Sequence, residues 1–360
     1  MNRDEPAFGG GLDLSEHYWR DCVAPAMALR FPGLAYGAAL IGDGSEVLGY
    51  DTALSADHSW EPRLFLFLRE EDMGLAETVR ASMARELPAE YAGLPTDFHC
   101  APFEAAGIPV HPRGVAVTSV RLFCRRILGA DPLAELHSRD WLTMPEHRLL
   151  GVTAGRVFHD ATGELAAARL ALRQYPKDVW LYLMAARWAR IGQERAFLGR
   201  CGDVGDDLGS RVVAARLAKE LMGLCFLIER AYAPYTKWFG TAFARLACAP
   251  AVQPALQEAL GAVHWQQREA AMNMAYEAVA RLHNSLGVTE PLEDVIGPYY
   301  TRPYRVVDAD RFCDALLGAI REPWLKGLRY PLGSVNQFLD QTNLLCDPQM
   351  CAKAAALFLE

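Results

Sequence analysis

The sequence predicts an α+β protein, with a mixed β-sheet and flanking helices in its N-terminal half and a helical bundle after it. Two runs carry the sheet: residues 63–68 (RLFLFL) are apolar enough for a buried strand, and residues 115–120 (VAVTSV) are rich in β-branched side chains. From Asp178 onward, long segments with helical spacing replace such runs. We therefore expect two domains, at residues 13–165 and 176–345.

The N-terminal half opens with a predicted amphipathic helix. From Asp13 the apolar side chains recur at helical spacing, Ser15 is in position to cap the first turn, and Pro32-Gly33 is a stop signal. A hairpin is expected at residues 156–165. Two more helices are predicted, at residues 73–87 and 121–128.

The C-terminal half is predicted to be almost entirely helical. Trp180, Leu183 and Trp188 belong to an apolar stripe typical of a helix that packs along one side. Gly287 follows a long amphipathic segment and marks its end. The helices predicted in this half span residues 179–197, 212–230, 232–246, 252–286 and 310–320.

Composition excludes some broad classes. With 51% hydrophobic and 22% charged residues, the 360-residue chain has the composition of an ordinary globular protein. Its formal net charge is −8, with 31 arginines and five lysines. A net acidic chain argues against broad, sequence-independent nucleic-acid binding, which needs a basic face. A local basic cleft stays possible.

Cysteine usage and hydropathy indicate the compartment. The nine cysteines are odd in number and scattered, and none forms a Cys-x-x-Cys pair. The first twenty residues are polar and acidic, unlike a signal peptide, and no apolar run reaches the length of a membrane span. We expect a reduced, cytoplasmic protein without a membrane segment.

The stretch 42–67 holds the strongest functional signal. Gly44 and Ser45 follow a small apolar run, and a glycine beside a serine lets backbone amides approach an anion, to which a following helix would add its N-terminal dipole. Ser55 and Asp57 come about a dozen residues later, where an acid could hold a divalent metal against that anion. The alternative is a strand–turn–strand segment in which the glycines only form turns.

This arrangement resembles the nucleotidyltransferase superfamily, whose signature is a Gly-Ser turn followed by Ser-Asp-x-Asp on the adjoining strand. Asp57 matches the first carboxylate, displaced by one residue, and Ser59 stands in the place of the second. The strand predicted at 115–120 contains no third carboxylate. The resemblance implies a nucleoside triphosphate (NTP) as substrate or ligand and Mg²⁺ on Asp57.

Charged and aromatic residues crowd the junctions between the predicted helices of the second half. One interpretation is a cationic and aromatic wall facing the Gly-Ser site. In it, Arg211, Lys219 and Lys237 meet phosphates, and Tyr235 or Trp238 stacks on a ring. The other is a set of paired structural ions and solvated helix edges. The sequence leaves both open.

The second half extends the resemblance. Residues 177–246 and the HNSLG segment at 283–287 are similar to an uncharacterised bacterial family, a domain of unknown function with a nucleotidyltransferase-like N-terminal half. With the Gly-Ser stretch, the resemblance covers most of residues 35–340. It implies an α/β nucleotidyltransferase domain followed by a helical bundle, as in antibiotic nucleotidyltransferases.

The chain departs from that family at two positions. The family's pattern reads Asp-His-Asp-Trp, and a later strand carries a glutamate. Asp57, His58 and Trp60 match this pattern, whereas Ser59 and Ala116 do not. Two-metal phosphoryl chemistry usually needs two or three carboxylates, so the metal-binding set is incomplete.

Two main functional hypotheses follow. The first is an enzyme that transfers a nucleotidyl group from an NTP to a small-molecule acceptor, with phosphates on Gly44-Ser45 and Mg²⁺ on Asp57. The second is a catalytically degenerate nucleotide- or metabolite-binding protein. A third, metal-independent chemistry with His58 as acid or base, rests on an imidazole pKa near neutrality.

Other motif classes are missing from the sequence. It contains no GxxxxGK[ST] loop, no GxGxxG before a helix, no His-Glu-x-x-His and no Gly-x-Ser-x-Gly elbow. P-loop, dinucleotide-binding, zincin and α/β-hydrolase functions are therefore not indicated. The sequence does not specify the acceptor, the preferred base or the oligomeric state.

Overall fold

A computed structural model describes residues 10–54, 60–97, 113–293 and 295–358. The chain divides into two compact units. The first comprises residues 1–173 together with 341–352, and the second comprises residues 174–340 together with 353–360. The division after Arg173 lies between the two domains predicted at 13–165 and 176–345, and the return of residues 341–352 to the first unit has no counterpart in that prediction.

The first unit is built on a four-stranded mixed sheet. Its strands are β1 (Tyr36–Leu40), β2 (Leu64–Leu68), β5 (Val115–Thr118) and β6 (Arg156–Asp160), and their spatial order is β5-β2-β1-β6. Strand β1 is antiparallel to both of its neighbours, whereas β2 and β5 are parallel. The predicted mixed sheet is confirmed. Two short strands, β3 (Glu90–Tyr91) and β4 (Leu94–Pro95), form a separate ribbon.

Both faces of β2 are covered, which explains its unbroken apolar sequence. Its three leucines lie in one core cluster with residues of the N-terminal helix, among them Tyr18 and Met27. On the other face, Phe65 and Phe67 contact Phe123, with ring centroids 5.1 and 5.6 Å apart. Each fully buried side chain of this size stabilises the fold by about 1.5–3 kcal/mol.

The N-terminal helix is interrupted by a π-helical turn, and Ser15 does not cap it. It consists of α1 (Gly11–Tyr18), a π-helical turn (Trp19–Val23) and α2 (Ala24–Arg30). The N-cap position is Gly10, without a side-chain cap. Ser15 is buried, and its hydroxyl accepts a hydrogen bond from the Arg63 backbone N–H at 3.4 Å instead.

The hairpin predicted at residues 156–165 is wrong. Strand β6 ends at Asp160, and its carboxylate accepts hydrogen bonds from the backbone N–H groups of Gly163 and Ala166, at 3.0 and 2.9 Å. Because these are orphan donors at a helix start, the chain turns into a helix rather than a second strand. A short 3₁₀ segment precedes α3, at Glu70–Leu75. The other helices that the structure describes up to residue 173 are α3 (Ala76–Glu86), α4 (Val120–Leu128), α5 (Ser138–Thr143), α6 (Glu146–Thr153) and α7 (Glu164–Ala171).

The second unit is mainly helical, as predicted, with one small hairpin of β7 (Ile296–Pro298) and β8 (Arg305–Val307). Its longer helices are α8 (Lys177–Glu194), α9 (Phe197–Asp203), α10 (Asp207–Ile228), α11 (Thr236–Phe243), α12 (Ala249–Gly261), α13 (Trp265–Ser285) and α14 (Ala309–Ala319). The shorter ones are α15 (Pro323–Gly327) and α16 (Val335–Phe338). Residues 341–352, in the first unit, contain α17 (Thr342–Leu345) and the start of α18 (Pro348–Phe358).

The single helix predicted at 252–286 is two helices. Gly261 ends α12, and Ala262 has extended backbone (φ −61°, ψ 133°). The carbonyl of Ala262 accepts a hydrogen bond at 3.0 Å from the buried Arg268 of α13. The exposed carbonyl at the helix end thus gains a charged donor, and α12 and α13 pack against each other.

A histidine lies in the core of the second unit. His283 is fully buried, and its ring contacts Phe312, which stacks on Trp188 at 4.3 Å. Trp188 Nε1–H donates to His283 Nδ1 at 3.2 Å, so Nδ1 is the acceptor and the ring proton resides on Nε2, 3.3 Å from Thr289 Oγ1. Burial lowers the pKa of His283 to about 4, which keeps the ring neutral.

The sequence predicts reduced cysteines and no membrane segment. Among the described residues, no helix is both long enough and apolar enough to cross a lipid bilayer. The eight cysteines that the structure describes are all free thiols.

Candidate functional site

The Gly-Ser turn follows β1 directly, and only glycine suits its backbone. Gly42, Gly44 and Gly49 have φ values of +98°, +143° and +69°. A Cβ atom on Gly44 would lie 2.4 Å from Glu46 Oε1, so a side chain there would collide with the turn itself. The glycines therefore determine the backbone conformation of residues 42–49 at the end of β1, which we call the Gly-Ser turn below.

The helix expected after Gly44-Ser45 is not formed. Residues 45–49 are a series of tight turns, in which the Tyr50 N–H donates to the Ser45 carbonyl at 2.9 Å and the Gly49 N–H to the Glu46 carbonyl at 3.1 Å. Because no regular helix starts here, the turn gains no helix dipole. Any anion binding by this turn depends on its own backbone amides.

Helix α6 holds the Gly-Ser turn from one side. The Gly42 N–H donates to the Gly151 carbonyl at 2.8 Å, and a Cβ on Gly151 would lie 2.5 Å from the Gly42 oxygen. Arg148 of the same helix is buried, and its Nη1 is 2.7 Å from Asp43 Oδ2. Its Nη2 donates to the Cys346 carbonyl at 3.3 Å. Close backbone contact and an ion pair thus fix the start of the turn.

Arg63, at the start of β2, holds the turn from the other side. Its Nη2 donates to the Asp43 carbonyl at 2.9 Å and forms an ion pair with Glu46. Both side chains of this pair are only 5% exposed. A buried arginine and glutamate of this kind depend on each other, because either charge alone would be desolvated without compensation.

The other acids near the turn differ in their contacts. Asp51 Oδ2 accepts hydrogen bonds from the Gly11 N–H at 2.8 Å and from Trp60 Nε1 at 3.0 Å. Glu61 Oε2 is buried and has no hydrogen-bond partner among the described residues. The described parts of the chain contain no group of three His, Cys, Asp or Glu residues that could hold a metal ion.

A histidine lies next to these groups. Burial lowers the pKa of His147 to about 4, with a further lowering by Arg148, and Asp43 opposes both. Its side chain keeps partial exposure to solvent, so the desolvation comes from the surrounding protein rather than from complete enclosure. At neutral pH, His147 is an uncharged donor and acceptor beside the Gly-Ser turn.

The predicted site residues fall into three groups. Gly44 and Ser45 lie in the Gly-Ser turn as described above. Ser55, Asp57 and His58, like Ser59, lie outside the described residues, so the predicted Mg²⁺ ligand and acid–base group stay predictions. Ala116, which stands where the resembling family has a glutamate, is buried on β5 and paired with Phe65 of β2.

The third group lies in the second unit, and its cations have partners. Arg211 Nε is 2.7 Å from Asp207 Oδ2, one turn earlier on α10. Lys219, eight residues further along the same helix, is 3.3 Å from Asp340. These contacts match the alternative interpretation of paired ions on solvated helix edges, and the phosphate-binding role stays a prediction.

Tyr235 and Lys237 share one neighbour. The indole N–H of Trp238 donates to the Tyr235 hydroxyl at 2.9 Å, and the Lys237 ammonium lies 4.8 Å from the centre of the Trp238 ring. Both are at the start of α11 and exposed. The structure thus brings these two predicted residues together, in a small aromatic and cationic group.

Sequence reasoning missed Arg63, Arg148 and His147. Arg63 is the only charge in RLFLFL, a usable signal of a buried ion pair at the strand start. Arg148 gave no such signal because its partner, Asp43, is 105 residues away in sequence. The pairing exists only in the folded chain.

Comparison with known proteins finds a similar family over part of the chain and a similar solved structure. No curated protein matches the chain. Among solved structures, the chain is similar to a nucleotidyltransferase-like protein from Exiguobacterium sibiricum 255-15, at 13% sequence identity and a TM-score of 0.35, over 76% of this chain and 77% of that one. Residues 141–239 match a family described as a domain of unknown function (DUF4037), which confirms the resemblance to a family of unknown function over that part of the chain.

Proposed function

We propose that the protein binds a nucleoside triphosphate at the Gly-Ser turn, with phosphate oxygens against the backbone at Gly44 and Ser45. The observation that carries this proposal is the conformation of the turn. Three glycines with positive φ leave the backbone of the turn after β1 without side chains at residues 42, 44 and 49, and Gly44 and Gly49 keep exposure to solvent. Arg63 and Arg148 hold that backbone in place from two sides.

The contacts of the nearby acids favour binding without catalysis. Asp43 neutralises Arg148, and Glu46 neutralises Arg63. If either carboxylate turned towards a metal ion, a buried arginine would lose its counter-charge, at a cost of about 3–5 kcal/mol. Asp43 and Glu46 are thus poor substitutes for the missing family carboxylates. This supports a nucleotide-binding protein that has lost metal-dependent transfer.

Nucleotidyl transfer to a small-molecule acceptor is the second candidate. It is favoured by the retention of Asp57 and His58 in the sequence, at the positions where the resembling family has a metal ligand and its neighbour. In this case Asp57 would hold Mg²⁺, and the ion would neutralise the triphosphate during transfer. Glu61, with a buried and unpartnered oxygen, is the described acid best suited to assist.

Calorimetric titration of the full chain tests both candidates. ATP, GTP, CTP and UTP are each titrated with and without Mg²⁺ into the wild-type protein, Asp57→Ala and Gly44→Ala. Gly33→Ala is the matched control, because Gly33 also has a positive φ (+87°) but no atom within 4 Å of a new Cβ, so it tests left-handed strain alone.

The binding proposal expects nucleotide affinity that does not need Mg²⁺, survives Asp57→Ala and falls at least tenfold in Gly44→Ala. Affinity that requires Mg²⁺ and disappears in Asp57→Ala supports transfer instead. Binding of none of the four nucleotides would reject both.

A further inference from the structure

Arg230 has a backbone conformation that usually belongs to glycine. It lies just beyond α10 with a φ of +57°. Its N–H donates to the Leu227 carbonyl at 3.0 Å, and the next N–H donates to the Phe226 carbonyl at 2.9 Å. These are the two bonds of a Schellman helix end, in which glycine is the common residue because a side chain is strained in the left-handed conformation. An arginine at this position points to a use for its side chain.

The side chain of Arg230 is held in one place by three contacts. Its guanidinium carbon lies 4.2 Å from the centre of the Trp180 ring. Its Nη2 is 3.3 Å from Gln174 Oε1 and 3.2 Å from the Tyr175 carbonyl oxygen. Trp180 is fixed in turn, because its indole N–H donates to the Leu227 carbonyl at 2.6 Å. The guanidinium is therefore already positioned before any ligand arrives.

One of the two terminal nitrogens of the guanidinium lacks a partner in the described part of the chain. Arg230 Nη1 is buried and has no hydrogen-bond acceptor among the residues that the structure describes. None of the ion pairs found in the described ranges includes Arg230, and burial lowers the pKa of its guanidinium. It borders a crevice without a carboxylate, which is lined by Tyr175, Trp180, Leu227, Ala231 and Tyr232.

The geometry points to an oxyanion site in this crevice, in which a carboxylate or phosphate oxygen accepts hydrogen bonds from Arg230 Nη1. Arg230 is half-buried, and an anionic ligand would supply an acceptor for its buried Nη1, since a guanidinium suits both oxyanions. The crevice has room for about one water-sized group, so one ligand oxygen enters. The rest of the ligand stays outside the crevice, because the rings of Tyr175 and Tyr232, which meet edge to face at 5.0 Å, are buried.

This site belongs to the second unit alone and does not rest on nucleotide binding at the Gly-Ser turn. Its most informative variant is Arg230→Gly. Glycine adopts the left-handed conformation without strain, so the helix end is kept while the guanidinium is removed. The matched control is Arg329→Gln, which removes another ring-stacked arginine of the same unit, exposed and 5.0 Å from the Tyr330 ring.

The probes are sodium acetate and inorganic phosphate, titrated at constant ionic strength against chloride. Binding is followed by calorimetry and by the indole N–H resonance of Trp180, assigned with Trp180→Phe. We expect one probe or both to bind the wild-type chain saturably, with at least tenfold weaker binding in Arg230→Gly and unchanged binding in Arg329→Gln. Binding of acetate alone identifies a carboxylate ligand, and binding of phosphate alone identifies a phosphate.

Two results would overturn the site. One is the failure of both probes to bind the wild-type chain. The other is equal affinity in the wild type and in a folded Arg230→Gly, checked by circular dichroism, since the proposed donor would then be irrelevant to binding.

Discussion

Replacing Arg63 by methionine tests how the Gly-Ser turn is held. Methionine preserves much of the arginine's apolar stem but not its charge. The variant leaves Glu46 as a carboxylate that is 5% exposed and has lost its counter-ion, and it deletes the hydrogen bond to the Asp43 carbonyl. Breaking a buried pair by removing one partner costs about 3–5 kcal/mol. That is a large part of the roughly 5–15 kcal/mol that stabilises a typical protein.

Urea unfolding followed by circular dichroism measures this loss. The indole N–H resonance of Trp60 reports on the turn separately, since it donates to Asp51. The matched control is Arg80→Met on α3, where Arg80 pairs with Glu77 at 2.9 Å but Glu77 is 79% exposed. An exposed pair contributes about 0–1 kcal/mol, so this variant should unfold close to the wild type.

A double variant separates lost charge from lost packing. Glu46→Gln in the Arg63→Met background removes the uncompensated carboxylate, so part of the stability should return. The reasoning is refuted if Arg63→Met and Arg80→Met destabilise the protein equally. It is also refuted if Glu46→Gln adds to the damage instead of relieving it.

Three further changes are predicted. Burial lowers the pKa of His283 to about 4, so below about pH 6.5 the unfolded chain takes up a proton at this residue and the folded chain does not. The free energy of unfolding should therefore fall by about 3 kcal/mol as the pH drops from 6.5 to 4. Urea midpoints measured across that range should show a smaller fall in His283→Gln. Gly151→Ala should cost about 3 kcal/mol by urea unfolding, since its Cβ would lie 2.5 Å from the Gly42 carbonyl oxygen, whereas Gly74→Ala, with nothing within 4 Å, should cost little. Arg268→Met should lower the thermal midpoint through a loss of about 2–3 kcal/mol, because the buried guanidinium donates to Asp207 and two other acceptors.

Local patterns predicted most of the elements, because they depend on nearby residues. The run RLFLFL specifies a buried strand by itself, and β2 is found there. The exceptions are places where a distant residue decides. Ser15 is a good helix cap by type, but it lies inside the helix and accepts a hydrogen bond from Arg63. The helix predicted at 252–286 divides at Ala262, whose carbonyl binds Arg268, and the Arg268 guanidinium also binds Ser210 and Asp207, which are 58 and 61 positions away.

The candidate site, too, was predictable only where neighbouring residues determine the conformation. Gly44 and Ser45 could be chosen because glycine and serine have local conformational consequences. The partners of the acidic residues could not, because a sequence shows charges without their pairing. The sequence shows Asp43 only as an acid beside the Gly-Ser turn, whereas in the structure it is bound to Arg148.

The charges around the Gly-Ser turn constrain how it can recognise a phosphate. Arg63 pairs with Glu46 and Arg148 with Asp43, and Asp51, two residues beyond the turn, adds a third carboxylate, so the two cations are more than balanced. A neutral His147 adds no positive charge. The turn therefore does not attract an anion by net charge, and the groups left to bind one are backbone amides. Gly44→Ala therefore tests the site more sharply than a change of charge, because it alters the backbone of the turn, which has a φ of +143° at this residue and packs against Glu46.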